Sequence, residues 1–162
     1  MIILGIDPGF ATLGFGIINV DKDKFTLIDY GCIKTSAGKD FAERLETIYD
    51  AIKKILKKYQ PDKVAVENIY FAKNVKTAIK VGEARGVILL ASHEAGAPIF
   101  EFTPLQVKQA LTSYGQAQKT QIQKMVQILL NLKELPKPDD AADALAIALT
   151  CAFSKIYPTH NF

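Results

Sequence analysis

The 162-residue sequence predicts an α/β fold: one mixed sheet with helices on both faces, in a single domain spanning 1–162. Three observations predict it. The first third holds three strand-like segments with short connections, which reads as an antiparallel meander. A strand–helix–strand unit follows, and its strands pair in parallel through a right-handed crossover. The last helix is apolar on nearly every side, so it belongs in the core against the sheet.

Taken in order, Ile2–Ile6 is a short apolar run, and Leu13–Val20 is rich in glycine and β-formers. Phe25–Lys34 follows the turn Asp21-Lys22-Asp23-Lys24. Asp40 opens a helix, with Glu43 three residues on completing a capping box. Phe41, Leu45, Ile48, Ile52, Ile55, Leu56 and Tyr59 recur at helical spacing until Pro61-Asp62 ends it. The opposite face carries Lys53, Lys54, Lys57 and Lys58, which reads as a solvated face. Lys63–Glu67 is a short buried strand ending on an acid, and a helix from about Asn74 to Ala95 leads to the strand Pro98–Phe102. Thr103-Pro104-Leu105-Gln106 starts another helix, with proline first and glutamine placed to close a cap. Gly115 breaks the chain before a helix over about Gln118–Leu132. Leu135–Pro138 is a stiff linker, and the last helix runs from Asp139 to about Phe153.

Composition excludes several classes. Hydrophobic residues make up 49% and charged residues 23%, an ordinary globular mix that rules out a disordered tail, a fibrous repeat or a disulfide scaffold. No apolar run approaches the ~20 residues of a membrane helix. The opening segment reaches Asp7 without a basic stretch before it, unlike a signal peptide. Cys32 and Cys151 lack metal or redox spacing and read as reduced core thiols of a cytoplasmic protein with no membrane association. Of 20 Lys+Arg only Arg44 and Arg85 are arginine. Lysine meets phosphate as a point charge, whereas reading guanine edges favours arginine forks. A nucleic-acid partner would therefore be held by backbone and shape.

Four acids lie in apolar surroundings. Asp7 and Glu67 follow strands, at the carboxyl ends where open α/β sheets bind ligands. Asp140 and Asp143 share one face of the last helix. Singly, each has a structural reading: Asp7-Pro8-Gly9 as a turn, Asp139 and Asp140 as first-turn acids complementing the helix dipole. Capping does not explain Asp143, a turn inside an apolar helix. One cause for all four is more economical, and that cause is divalent metal. Carboxylate oxygens suit Mg²⁺ or Mn²⁺. His93 and His160 are isolated, and no phosphate loop or dinucleotide fingerprint occurs. Lys73, Lys76 and Lys80 share a helix face close to Glu67 and are placed to track a phosphate backbone, or else to be simply solvated. Tyr70, three residues after Glu67, offers a stacking face for an unpaired base, with a core tyrosine as the alternative. Gly82 and Gly86 each cost the helix ~1 kcal/mol, which close helix approach would explain.

The segments Ile3-Leu4-Gly5-Ile6-Asp7-Pro8-Gly9, Val66-Glu67-Asn68-Ile69-Tyr70-Phe71-Ala72-Lys73-Asn74, Gly82-Glu83-Ala84-Arg85-Gly86, Gln106-Val107-Lys108-Gln109 and Asp140-Ala141-Ala142-Asp143-Ala144-Leu145-Ala146 resemble the RuvC family of bacterial Holliday junction resolvases. The match is collinear from Ile2 to about Cys151. The resemblance implies a ribonuclease H-like fold and a homodimer nicking two opposing strands of a four-way DNA junction, in concert with the RuvA–RuvB branch-migration complex. It makes Asp7, Glu67, Asp140 and Asp143 the catalytic metal ligands, with two Mg²⁺ per subunit and Mn²⁺ able to substitute. It places Tyr70 against DNA bases, Lys108 and Lys119 near the active site, and the helix of Gly82 and Gly86 at the dimer contact. Asp139, an extra acid beside the motif, reads as a cap. Two alternatives share this fold: an RNA-cleaving relative with the same acids, and an actin-like ATP-binding domain, whose second domain and acidic-glycine motif the sequence lacks.

Overall fold

A computed structural model describes residues 1–68 and 75–154. Tyr70 and Lys73 lie outside the described residues. The chain runs β1 (Ile2–Asp7), β2 (Thr12–Asp21), β3 (Lys24–Lys34), α1 (Phe41–Tyr59), β4 (Lys63–Glu67), α2 (Val75–Glu94), β5 (Ile99–Phe102), α3 (Pro104–Thr112), α4 (Lys119–Leu129) and α5 (Asp139–Phe153). The five strands form one sheet in the order β3-β2-β1-β4-β5. β1–β2 and β2–β3 are antiparallel, and β4 pairs in parallel with both β1 and β5. The expected mixed sheet is present.

Strand alternation splits the core in two. Leu4, Ile6, Leu13, Ile17, Val64 and Val66 point to one side, where they meet Ile48, Ile52 and Leu56 of α1 and Ala84 and Ile88 of α2. Ile3, Ile18, Ala65, Phe100 and Phe102 point to the other, against α3, α4 and α5. Helices therefore cover both faces. The Asp40–Glu43 and Thr103–Gln106 capping boxes form as expected. At the start of α4 only half of such a box forms, with Gln118 N–H donating to Gln121 Oε1 at 2.8 Å.

Three local readings change. Asp139 is not a cap: Pro138 occupies that position, and the Asp139 carboxylate turns to α4, accepting from Gln123 Nε2 at 3.0 Å. The stop after α3 is Ser113, in the left-handed conformation (φ 56°) and donating its N–H to Gln109 O, rather than Gly115. Cys151 is fully buried, and burial pushes its thiol up to about 12, but Cys32 on β3 is only half-buried.

α5 sits unusually low on the sheet because three glycines face it. A Cβ on Gly5 would overlap the Ala144 carbonyl oxygen, and one on Gly14 would overlap that of Asp140. One on Gly16 would lie 2.7 Å from Leu145 Cδ2. Gly5 pairs with Gly16, and Gly14 with Asp7, so the seat is continuous across β1 and β2. Gly14→Ala should force the first turn of α5 off the sheet. The expected loss of about 1–3 kcal/mol would appear as a lower urea midpoint with an unchanged slope.

Candidate active site

Sheet geometry sets where the acids meet. Ile3 and Gly5 face α5, so the two-residue period also turns Asp7, the last residue of β1, to that side. In β4, Ala65 faces α5, and the same period carries Glu67, its last residue. Gly5 pairs with Ala65 and Ile6 with Val66, so Asp7 and Glu67 end adjacent strands. α5 lies above them with its first turn over Gly14, beside Asp7, and brings Asp140 and Asp143. The four acids singled out in the sequence gather at one end of the sheet.

They perturb one another. Asp7 is pushed up to about 8, chiefly by burial and then by the charges of Glu67, Asp143 and Asp140. Glu67 is pushed up to about 7 by burial and by Asp143. Burial also raises Asp143, against the pull of Lys119. Lys119, the first residue of α4, donates to Asp143 Oδ2 at 2.7 Å and lies 3.3 Å from Asp139. Burial works against its ammonium, yet these two partners hold it above the ordinary lysine value. Asp143 is 32% exposed and Asp139 67%, so Asp139 belongs to the rim.

Beside the acids is a cleft of ≈ 190 Å³ whose lining includes Glu67, Asp143, Lys108 and Lys119 above an apolar wall with Val107 and Ile122. Both lysines from the family pattern are therefore beside the carboxylates. Lys76 and Lys80 stand exposed on α2. Gly82 and Gly86 are exposed as well, and among the described residues nothing lies within 4 Å of a Cβ placed at either, so no described helix approaches them. On α1 the lysine face is exposed as the sequence suggested, and two of its members also form surface ion pairs: Lys53 with Glu94 and Lys58 with Asp29.

Among the described residues, no three His, Cys, Asp or Glu side chains form a closed metal cage as they stand. The donor set nevertheless fits a hard divalent ion: it offers carboxylate oxygens, and burial first and mutual repulsion second raise Asp7 and Glu67 well above the usual carboxylate range. Side-chain rotation between staggered wells is the movement that closes such a site. The sequence missed what aims Lys119. The bond from Gln118 N–H to Gln121 is local, but the pairing of Lys119 with α5 is a tertiary fact.

The family model for "Crossover junction endodeoxyribonuclease RuvC" matches residues 3–151. The chain belongs to the RuvC family. Curated RuvC proteins of Caldanaerobacter subterraneus and Brevibacillus brevis are each 53% identical to it, covering 92% and 94% of this chain and 90% and 92% of theirs. Thermus thermophilus RuvC superposes with a TM-score of 0.89 at 42% identity, over 94% of each chain. The same protein in complex with Holliday junction substrate gives 0.90 at 43% identity, over 94% and 93%. Membership in RuvC makes this chain an endodeoxyribonuclease with a ribonuclease H-like fold, and carries dependence on divalent metal.

The raised carboxyl groups have a thermodynamic signature. The folded state holds the Asp7 proton more tightly than the unfolded chain does. Stability from this source is full below about pH 4 and is lost as pH rises through about 8. In chelator, thermal stability should fall across that window. Asp7→Asn should flatten the fall and raise Tm at pH 8 by roughly 2–4 °C per kcal/mol of repulsion removed.

Proposed function

We propose that this protein is a metal-dependent endonuclease that resolves four-way DNA junctions by paired symmetric nicks, and that Asp7, Glu67, Asp140 and Asp143 are its catalytic metal ligands. The observation that carries this reading is the meeting of these four acids, beside Lys119 and Lys108, in a chain of the RuvC family. The junction-bound Thermus relative supports the substrate. Family membership likewise favours DNA-junction cleavage over the RNA-cleaving and actin-like alternatives.

Two Mg²⁺ per subunit, with Mn²⁺ able to replace them, would supply the positive charge that activates water and steadies the leaving oxygen of an in-line displacement. The protein's own groups do the rest. Asp7 and Glu67 are fixed by the sheet, and Asp140 and Asp143 by α5, so the ligands arrive on rigid elements. Lys119 opposes the upward shift that burial imposes on Asp143 and gives the scissile phosphate a cation; Lys108 offers a second cation in the same cleft. Tyr70 stacks on a base near the cut, and Lys73, Lys76 and Lys80 follow the backbone.

One chain carries one set of acids, whereas resolution takes two cuts. We read residues 1–162 as a single nuclease domain that works as a homodimer, a two-fold arrangement matching the symmetry of an open junction. The open stripe at Gly82 and Gly86 supports α2 as the contact. We place the protein in the cytoplasm, receiving junctions from RuvA and RuvB; no described helix is long and apolar enough to cross a membrane.

The test is a labelled synthetic junction with Mg²⁺, run beside linear duplex and RNA–DNA hybrid. Asp7→Asn, Glu67→Gln, Asp140→Asn and Asp143→Asn should each lower cleavage by at least ~10²-fold while junction binding survives. Normal cutting by Asp143→Asn would overturn the four-acid site. Gly86→Leu should give folded monomers by sedimentation that leave single nicks in a cruciform. A wild-type protein that stays monomeric on DNA would overturn the paired-nick reading.

A further inference from the structure

Two cations without a counter-charge meet over the loop that follows Asp7. The Arg44 guanidinium lies 3.9 Å from the centroid of the Phe10 ring, which also stacks on Phe41 at 4.9 Å. Arg44 Nε donates to Thr35 Oγ1 at 2.9 Å, and the Thr35 hydroxyl in turn donates to Phe10 O at 2.7 Å. Lys80 Nζ comes within 5.8 Å of the same ring. Among the described residues, neither cation has an ion pair, and the terminal Arg44 nitrogens have no hydrogen bond. Two of the acids near it in sequence, Asp40 and Glu43, are spent on capping α1, and Glu46 makes no ion pair with it. The other arginine, Arg85, is used in a half-buried ion pair with Glu101.

Helix stability does not account for Arg44. It stands in the first turn of α1, where a cation faces the positive end of the helix dipole. Stacking and the Thr35 bond freeze a side chain that otherwise loses considerable rotamer entropy on ordering. What is left is an oriented fork with free donors, which matches phosphate geometry.

We infer that Arg44 and Lys80, gathered on Phe10, form a phosphodiester-binding subsite that grips the backbone of one junction arm beside the Asp7 loop. This rests on the DNA-junction reading above. The subsite is on the α1/α2 side of the sheet, opposite the carboxylates, so it binds a stretch of strand other than the one being cut. It adds affinity and register, and reads no sequence.

Junction affinity measured in chelator over a salt series tests this. Arg44→Gln should weaken binding about three- to tenfold and lower the log K against log salt slope by about one. Arg44→Lys should restore the slope, because an ammonium still releases a counterion. Lys80→Gln should lower the slope by a similar step and does not depend on the Arg44 variant folding. Unchanged slopes in Arg44→Gln and Lys80→Gln, with wild type binding the junction, would overturn this inference alone. A lowered slope that Arg44→Lys fails to restore, with a lower Tm, would reduce Arg44 to a fastener of the loop. Inorganic phosphate protecting wild type but not Arg44→Gln against thermal unfolding would reassign the subsite to a free anion. A wild type that ignores the junction would overturn the function itself.

Discussion

The approach of α5 to the sheet is the constraint on which the site depends. Backbone carbonyls of Ala144 and Asp140 occupy the space that side chains on Gly5 and Gly14 would fill. Only hydrogen fits there. With the helix seated so low, carboxylates on its first two turns can reach those at the ends of β1 and β4. An alanine in the seat moves the helix outward, and any ligand set shared between sheet and helix opens with it. The remaining architecture serves this contact: β2 supplies two of the three glycines, while α3 and α4 flank α5 through Val107, Leu111, Ile122 and Val126.

Gathering the acids has an electrostatic cost that the fold offsets only in part. Burial and mutual repulsion raise Asp7 and Glu67 toward neutrality. Lys119 relieves Asp143 most directly, through one short hydrogen bond, and its charge also opposes the rise of Asp7 and Glu67. A site that is unfavourable on its own and relieved by cations is suited to hold divalent metal and a polyanion together, since each added positive charge lowers the repulsion that opposes the next phosphate. Arg44 and Lys80 follow the same logic with the opposite sign.

Much of this was legible in the sequence. The meander, the crossover and the apolar last helix were visible as periodicity, and the caps at Asp40 and Thr103 as local chemistry. The four acids stood out because they were polar in apolar company. The glycines of β1 and β2 were legible only as a failed nucleotide fingerprint, because what they accommodate lies more than a hundred residues away. Asp139 was misread for a related reason. At the start of a helix an acid looks like a cap, whereas Pro138 takes that position and α4 draws the carboxylate to Gln123 and Lys119. Arg44 was noted only as one of two arginines; nothing local tells that Phe10 and Thr35 will hold it.

The sheet also acts as a partition. Leu4, Ile6, Val64 and Val66 belong to a core shared with α1 and α2, while their neighbours Ile3 and Ala65 belong to one shared with α3–α5. Few side chains are common to both layers. The α1/α2 layer, with its open glycines and its arginine, is therefore packed independently of the carboxylates behind it. A substitution confined to that layer reaches the four carboxylates only through the strands that separate the two cores.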